Sequence, residues 1–255
     1  MPIVFITAAT ANTGLAIAEK FASEGYSVAV SSRNEESAKN TAAFLREKYS
    51  INAIGYKLEI TDVSNIKEVF QSIKNDFGGL DIFVANAANL GLSMDFLSVS
   101  EEEYSQVIDC NLKGSFFCAQ QAALLMKEQK KGSIVFISSV HSHECLMGRS
   151  LYTASKGGIN ALMRALAIEL GEYNIRSNCI IAGAIRTDRW DGLTQEQIAE
   201  KRANWPIGLE STGEDIANGA YYLGTDLSKT VTGTELTIDS GILISLLPYK
   251  EMRKL

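Results

Sequence analysis

The chain has 255 residues, of which 46% are hydrophobic and 21% charged, with a formal net charge of −6 and only three prolines. That composition excludes a disordered or collagenous chain and supplies enough apolar surface for a sizeable core. The acidic balance, with no Lys/Arg cluster beyond the solvated helix end at 127–131, excludes a general nucleic-acid binder, which needs a basic face.

Short apolar runs alternate with amphipathic stretches along the chain. The run 3–6 leads into a helical pattern over 13–23, 27–30 into 35–48, and 53–58 into 63–77. The run 80–85 leads into two helical stretches, 101–111 and 115–130, and 133–137 into 152–170. The run 176–181 is followed by a polar insert and then a helix over 214–224, and 234–238 closes the series. The strand runs are continuously apolar, the pattern of strands buried on both faces. Alternation with helices predicts βαβ units and right-handed crossovers. The fold class expected is therefore α/β: one Rossmann-like, doubly wound domain over 1–255, with a seven-stranded, mostly parallel sheet and helices on both faces. Ligands in such sheets sit beyond the carboxyl ends of the strands, which makes the insert at about 187–208 a candidate substrate lid.

The N-terminus carries no basic n-region or cleavage pattern, and no apolar stretch reaches the roughly 18–20 residues that span a bilayer, so neither a signal peptide nor a membrane anchor is expected. Cys110, Cys118, Cys145 and Cys179 form no Cys-x-x-Cys pair, which fits reduced thiols in a cytoplasmic protein.

Three motifs carry chemistry. The first strand-to-helix turn reads Thr7-Ala8-Ala9-Thr10-Ala11-Asn12-Thr13-Gly14, where small residues and a helix N-terminus suit a phosphate. Asn12 tolerates a left-handed backbone better than most non-glycine residues. The second strand ends in Ser31-Ser32-Arg33-Asn34, close to where a doubly wound fold places the adenosine ribose. An acidic residue there would accept from a ribose 2′-hydroxyl, whereas Arg33 with Ser32 suits a 2′-phosphate, so NADP(H) is favoured over NAD(H). Finally, Tyr152 and Lys156 are four residues apart on one helix face, with Ser139 at a strand end thirteen residues before Tyr152. A cation beside a phenol favours its ionised form, so the phenol can exchange a proton with an alcohol or carbonyl oxygen that the Ser139 hydroxyl orients.

On Tyr152-x-x-x-Lys156, Ile137-Ser138-Ser139, Asn111-Leu112-Lys113-Gly114, Asn178 through Gly183 to Thr187, and Asp239-Ser240-Gly241, the chain resembles the classical short-chain dehydrogenase/reductase family from Thr7 to about Gly241. The resemblance implies hydride transfer between a nicotinamide and a carbinol carbon. It implies Tyr152 as acid/base, Lys156 holding the nicotinamide ribose, Ser139 positioning the substrate oxygen, and Asn111 kinking its helix and holding a relay water. It further implies cofactor contacts from Thr7, Asn12, Thr13, Gly14, Ser32, Arg33, Glu59, Ile60, Asn86, Ala87, Ile185 and Thr187, and a homo-oligomer, tetramer or dimer. The chain departs from the family at Ala8 and Asn12, where glycines are usual, at Ala85-Asn86-Ala87-Ala88, at Glu59 in place of Asp, and at Ala182-Gly183. Added bulk where backbone meets cofactor predicts a shifted or weaker cofactor mode.

The two histidines lie in His141-Ser142-His143-Glu144-Cys145, beside the expected substrate pocket; substrate contact by one of them outweighs a metal site, which needs three or four placed ligands. Trp190 and Trp205 flank the lid, and Arg186, Arg189, Lys201 and Arg202 give it charge that solvent or an acidic substrate could take up. The apolar tail 242–247 either covers a neighbouring subunit or folds back on its own core, and the oligomers of the family it resembles favour the interface. The expected activity is an NADP(H)-dependent interconversion of a carbonyl and a secondary alcohol. Two alternatives stay open: a non-redox enzyme on the same scaffold, such as a dehalogenase, and a non-catalytic nucleotide sensor.

Overall fold

The computed structural model describes residues 1–91 and 94–253. In chain order the elements are β1 (Ile3–Ile6), α1 (Asn12–Ser23), β2 (Ser27–Ser32), α2 (Glu35–Tyr49), β3 (Ala53–Lys57), α3 (Val63–Phe77), β4 (Ile82–Ala85) and α4 (Glu101–Ile108). They continue with α5 (Gly114–Gln129), β5 (Gly132–Ser139), α6 (Ser150–Glu169), β6 (Ile175–Ala182), α7 (Gln195–Arg202), α8 (Gly213–Gly224), β7 (Glu235–Ile238) and α9 (Tyr249–Met252).

The seven strands form one sheet in the order β3-β2-β1-β4-β5-β6-β7, every neighbouring pair parallel. The order reverses between β1 and β4, and a crevice opens at that switch point beyond the strand carboxyl ends.

Pleating explains the continuous apolar runs. Along β1, Phe5 points to the layer holding Ile66, Phe70, Ala119 and Ile159, while Val4 and Ile6 point to the layer holding Ile17, Phe21, Ala217 and Leu223. Each strand must feed both cores, so no polar alternation survives. Phe5, Phe70 and Phe83 meet at ring separations of 5.2 to 5.8 Å, two of the three pairs edge-on.

Helix starts follow from capping residues. Asp62 accepts from Ser64 N at 2.8 Å to begin α3, which ends at Gly78 with φ 82. Ser100 with Glu103, Thr194 with Gln197, and Thr212 with Asp215 form reciprocal capping boxes.

Several sequence-based boundaries shift. The stretch expected as a helix over 101–111 turns π-helical at Asp109–Lys113 and runs directly into α5. Helix α6 begins at Ser150, so Tyr152 sits inside its first turn. The polar insert is partly helical, with a short 3₁₀ turn at Asp188–Trp190 and α7 behind it. The tail folds back in part: Leu243 packs on the core, while Ile244 and Leu246 are exposed. Among the described residues no helix is long and apolar enough to cross a membrane.

Candidate active site

Strand β5 and helix α6 build the centre of the site. Ser139 is the last residue of β5, where the ladder with β6 ends at the Ser139–Ala182 pair. Its hydroxyl accepts from His141 N at 3.2 Å, which leaves its own hydrogen available to a substrate oxygen. Tyr152 and Lys156 are buried on one face of α6, 8% and 4% exposed. Lys156 Nζ donates to the Ile137 carbonyl at 2.8 Å and lies 5.6 Å from the Tyr152 ring centroid. The carbonyl takes one ammonium hydrogen and leaves the others, with the full charge, over the Tyr152 ring. His141 meets the Tyr152 ring edge-on, 5.8 Å between centroids.

Asn111 falls in the π-helical segment, a distortion that often marks function because it displaces backbone groups from the α-helical ladder. It is buried, and its Oδ1 accepts from Asn89 N at 2.6 Å. Its Nδ2 donates to Asn89 O at 2.8 Å and to Ser155 Oγ at 3.0 Å, and Ser155 Oγ donates on to Tyr152 O at 2.8 Å. The side chain therefore ties the loop after β4 to the backbone of Tyr152.

A cleft of about 970 Å³ runs along the carboxyl ends of β1, β2, β3 and β4, lined among others by Thr7, Ala8, Ser32, Arg33, Glu59, Ile60, Ala87 and Cys110. Helix α1 starts beside it at Ala11, with no side-chain cap and no acidic residue in its first turn. Its first amides and its positive dipole end therefore suit a phosphate. Ala8 and Asn12, the two positions where glycine was expected, have φ 51 and 47. The chain keeps the left-handed turn and bears its cost without glycine. Gly14 remains because a Cβ there would overlap Ala8 O and come within 2.7 Å of Asn86 Nδ2.

Ser32 and the exposed Arg33 line the cleft, and Arg33 makes no hydrogen bond or ion pair among the described residues. Thr7 and Asn86 instead clasp the two switch-point loops to each other. Asn86 N and Ala87 N donate to Thr7 Oγ1 at 3.0 and 3.1 Å, and Asn86 Nδ2 donates to the carbonyls of Thr7 and Ala8, both at 3.0 Å. Glu59 lines the cleft, but its Oε1 accepts from Thr61 Oγ1 at 2.8 Å. Asn12 Oδ1 reaches Asp188 N at 3.5 Å, linking the first turn to the lid, and Thr187 Oγ1 accepts from Arg189 Nε at 3.3 Å. Thr13 lies in the first turn of α1, and Ile185 bridges to Ser211 at the base of the lid.

Within the lid, Trp190 and Trp205 pack at 6.1 Å. Two of its basic residues are held by Glu210: Arg202 Nε and Nη2 each donate to its carboxylate at 2.7 Å, and Arg186 Nη1 donates at 3.2 Å. The Arg202 guanidinium holds the Glu210 carboxyl down at about 2. The histidines diverge, His141 toward Tyr152 and His143 toward Glu235, and no group of three potential metal ligands occurs among the described residues.

Sequence reading missed Asn160, Ser142, Asn89 and Ser155. The signal for Asn160 and Ser155 was present: they are polar residues on the face of α6 that Tyr152 and Lys156 define, a face otherwise buried among Leu151, Ile159 and Met163. Asn89 lies on a loop and Ser142 in a single 3₁₀ turn, and no periodicity marks a residue in either.

A doubly wound parallel sheet with a buried Tyr–Lys pair and a serine at the switch-side strand ends defines a nucleotide-binding oxidoreductase class. The family model described as enoyl-(acyl carrier protein) reductase matches residues 8–243. A 3α-hydroxysteroid dehydrogenase from Mediterraneibacter gnavus is 33% identical over 238 residues, covering 93% of this chain and 95% of its own. A 3-oxoacyl-[acyl-carrier-protein] reductase from Aquifex aeolicus is 31% identical over 242 residues, covering 94% and 96%. A solved structure described as a short-chain alcohol dehydrogenase from Sinorhizobium meliloti superimposes with a TM-score of 0.89 at 30% identity, covering 96% of this chain and 97% of that one. The chain belongs to the short-chain dehydrogenase/reductase family. It is an oxidoreductase of the kind that acts on a carbinol or carbonyl carbon with a nicotinamide cofactor.

Proposed function

We propose that the protein is an NADP(H)-dependent enzyme that interconverts a ketone or aldehyde and its alcohol, with Tyr152 as acid and base. The observation that carries this is the buried pair of Tyr152 and Lys156 on one face of α6, with the ammonium pinned to Ile137 O at 2.8 Å beside the phenol. A phenol held within reach of a substrate oxygen can pass it a proton, and the Lys156 ammonium lies over the Tyr152 ring at 5.6 Å from its centroid. The Ser139 hydroxyl donates to the same oxygen and holds it within reach of Tyr152. In the oxidative direction the same groups take the proton back.

When bound, the nicotinamide supplies or accepts the hydride. Thr13, Gly14 and the start of α1 would hold its phosphates, with Asn12 at the turn. Ser32 and Arg33 would hold a 2′-phosphate, and the exposed, unengaged Arg33 among the described residues supports NADP(H). Glu59, Ile60 and Ala87 would border the adenine side, Ile185 and Thr187 the nicotinamide, and Lys156 its ribose. Asn86 and Thr7 support this cradle by clasping its loops.

The test is fluorescence titration with NADPH and NADH, followed by turnover of acetoacetyl-CoA, a 3-ketosteroid, a ketose and an aromatic aldehyde with the tighter cofactor. NADPH is expected to bind at least tenfold more tightly than NADH. The Tyr152→Phe variant is expected to bind NADPH as the parent does and to lose most turnover; unchanged turnover would overturn the assignment.

A further inference from the structure

Tyr152, Lys156 and Asn160 succeed one another at intervals of four along α6, so one helix face carries all three. The proton chemistry above uses the first two. Asn160 is just as buried, 3% exposed. Its Oδ1 accepts from Ser138 Oγ at 2.6 Å and from Cys179 Sγ at 3.9 Å. Its Nδ2 lies 2.9 Å from Ser142 Oγ and 3.4 Å from His143 Nε2.

The direction of this network follows from what each atom can do. His143 Nε2 is 2.7 Å from Glu235 Oε2, a carboxylate oxygen that only accepts, so that ring nitrogen carries a proton and cannot accept from Asn160. Glu235 is held from its other side by Arg164 Nη1 at 2.8 Å. Ser142 Oγ is therefore the acceptor for the Asn160 amide, and its own hydrogen goes to Ser139 O at 2.6 Å. The result is a directed chain from the helix face that carries Tyr152 to the backbone of Ser139.

Ser139 needs such support. It stands where β5 ends and a 3₁₀ turn over Val140–Ser142 begins, so the sheet no longer fixes the backbone beyond it. A hydroxyl that must aim one hydrogen at a substrate oxygen loses its advantage if its backbone can rotate. We propose that Asn160, acting through Ser142, is a positioning residue that sets the direction in which Ser139 presents its hydroxyl to the substrate. The inference rests on the reading of Ser139 and Tyr152 given under Proposed function.

The experiment compares Ser142→Ala, Ser142→Thr and Asn160→Asp with the parent and with Tyr152→Phe, using NADPH and whichever of the four carbonyls above the parent turns over fastest. Asn160→Asp keeps the acceptor for Ser138 and removes the donor to Ser142 at constant size. Both Ser142→Ala and Asn160→Asp are expected to lower kcat on the carbonyl about tenfold, equivalent to ~1.4 kcal/mol in the barrier. NADPH affinity is expected to stay within about twofold of the parent, and Ser142→Thr, which keeps the hydroxyl, to restore at least half of the lost rate. The positioning role is overturned if either variant turns over within twofold of the parent, or if NADPH affinity falls in step with kcat, which would mark general loosening. Full turnover by Tyr152→Phe, or no turnover of any carbonyl by the parent, would overturn the underlying reading and this one with it. An inactive Tyr152→Phe beside a fully active Ser142→Ala would overturn the positioning role alone.

Discussion

Lys156 Nζ reaches across from α6 to the carbonyl of Ile137 in β5, 2.8 Å away, and this contact fixes a buried ammonium beside the ring of Tyr152. The strand end and the helix face are thus one unit. Lys156→Met removes the charge and leaves the Ile137 carbonyl without its donor, which costs about 1–3 kcal/mol of stability. The expected outcome is a fall of at least about a hundredfold in kcat, in the range of lost acid–base catalysis, with a folded circular dichroism spectrum. Steady-state NADPH oxidation and thermal melts check both parts.

The first turn gives a pair of substitutions with opposite signs. Ala8 has φ 51, a conformation that costs an L-residue roughly 1–2 kcal/mol. Ala8→Gly relieves it, and the extra freedom of glycine in the unfolded chain offsets part of the gain. A net rise in Tm of about 1–4 °C is expected for a chain of this size. Gly14→Ala works the other way, because its Cβ has no space between Ala8 O, Asn86 Nδ2 and Ala9 Cα. It is expected to lower Tm and to weaken NADPH binding, read by differential scanning fluorimetry with and without NADPH.

Glu210 makes the lid acid-sensitive. Its carboxyl, held at about 2 by Arg202, ionises in the unfolded chain near the ordinary 4.5. The unfolded state therefore binds the proton first, and the ion pair's contribution is fully present above about 4.5. It is lost as pH falls from there toward 2. Trp190 and Trp205 report the change, since they pack on the segment that Arg202 anchors. In the folded lid the carboxyl takes up its proton near 2, so their fluorescence is expected to shift only as pH falls toward 2, and Glu210→Gln is expected to show the shifted signal already at pH 7. A difference between parent and variant that persists unchanged through pH 2 and below would refute the ion pair as the cause.

Arg176 is a stability residue with no part in the site. Burial pulls its guanidinium below the usual value, yet it stays engaged with the carbonyls of Leu223, Gly224, Thr225 and Val231 and with Ser228 Oγ. Arg176→Met strips a donor from each of these acceptors, although Leu223 O, Thr225 O and Val231 O keep donors from Ser133, Ser228 and Asn178; it is expected to cost about 1–3 kcal/mol, a fall in Tm of about 2–12 °C. NADPH affinity is expected to remain at the parent value in a titration at 20 °C.

The α/β class and the strand and helix order were legible because hydrophobic periodicity is local. The Tyr152–Lys156 pair was equally legible, since four residues on a helix are one turn, and so was Ser139 at its strand end. The break at Asp109–Lys113 was less so: a π-turn keeps helical composition, and only contacts such as Asn111 with Asn89 and Ser155 stabilise the changed register. Ala8 and Asn12 are instructive in another way. The Ala8 side chain argued against a glycine-type turn whereas Asn12 tolerates one, and both stand in the left-handed region, Ala8 under the clasp of Asn86 on the carbonyls of Thr7 and Ala8.

By itself, then, the amino-acid order determined which faces are buried, where strands and helices fall, and which residues one helical turn brings together, because those depend on propensity and spacing within about a dozen residues. Only the tertiary structure decided that Asn86 faces Thr7, that Arg186 and Arg202 are taken up by Glu210, and that Asn160 reaches Ser139 through Ser142. These are hydrogen bonds and ion pairs across 3 to 79 positions, and no local pattern encodes which partner a polar side chain will meet.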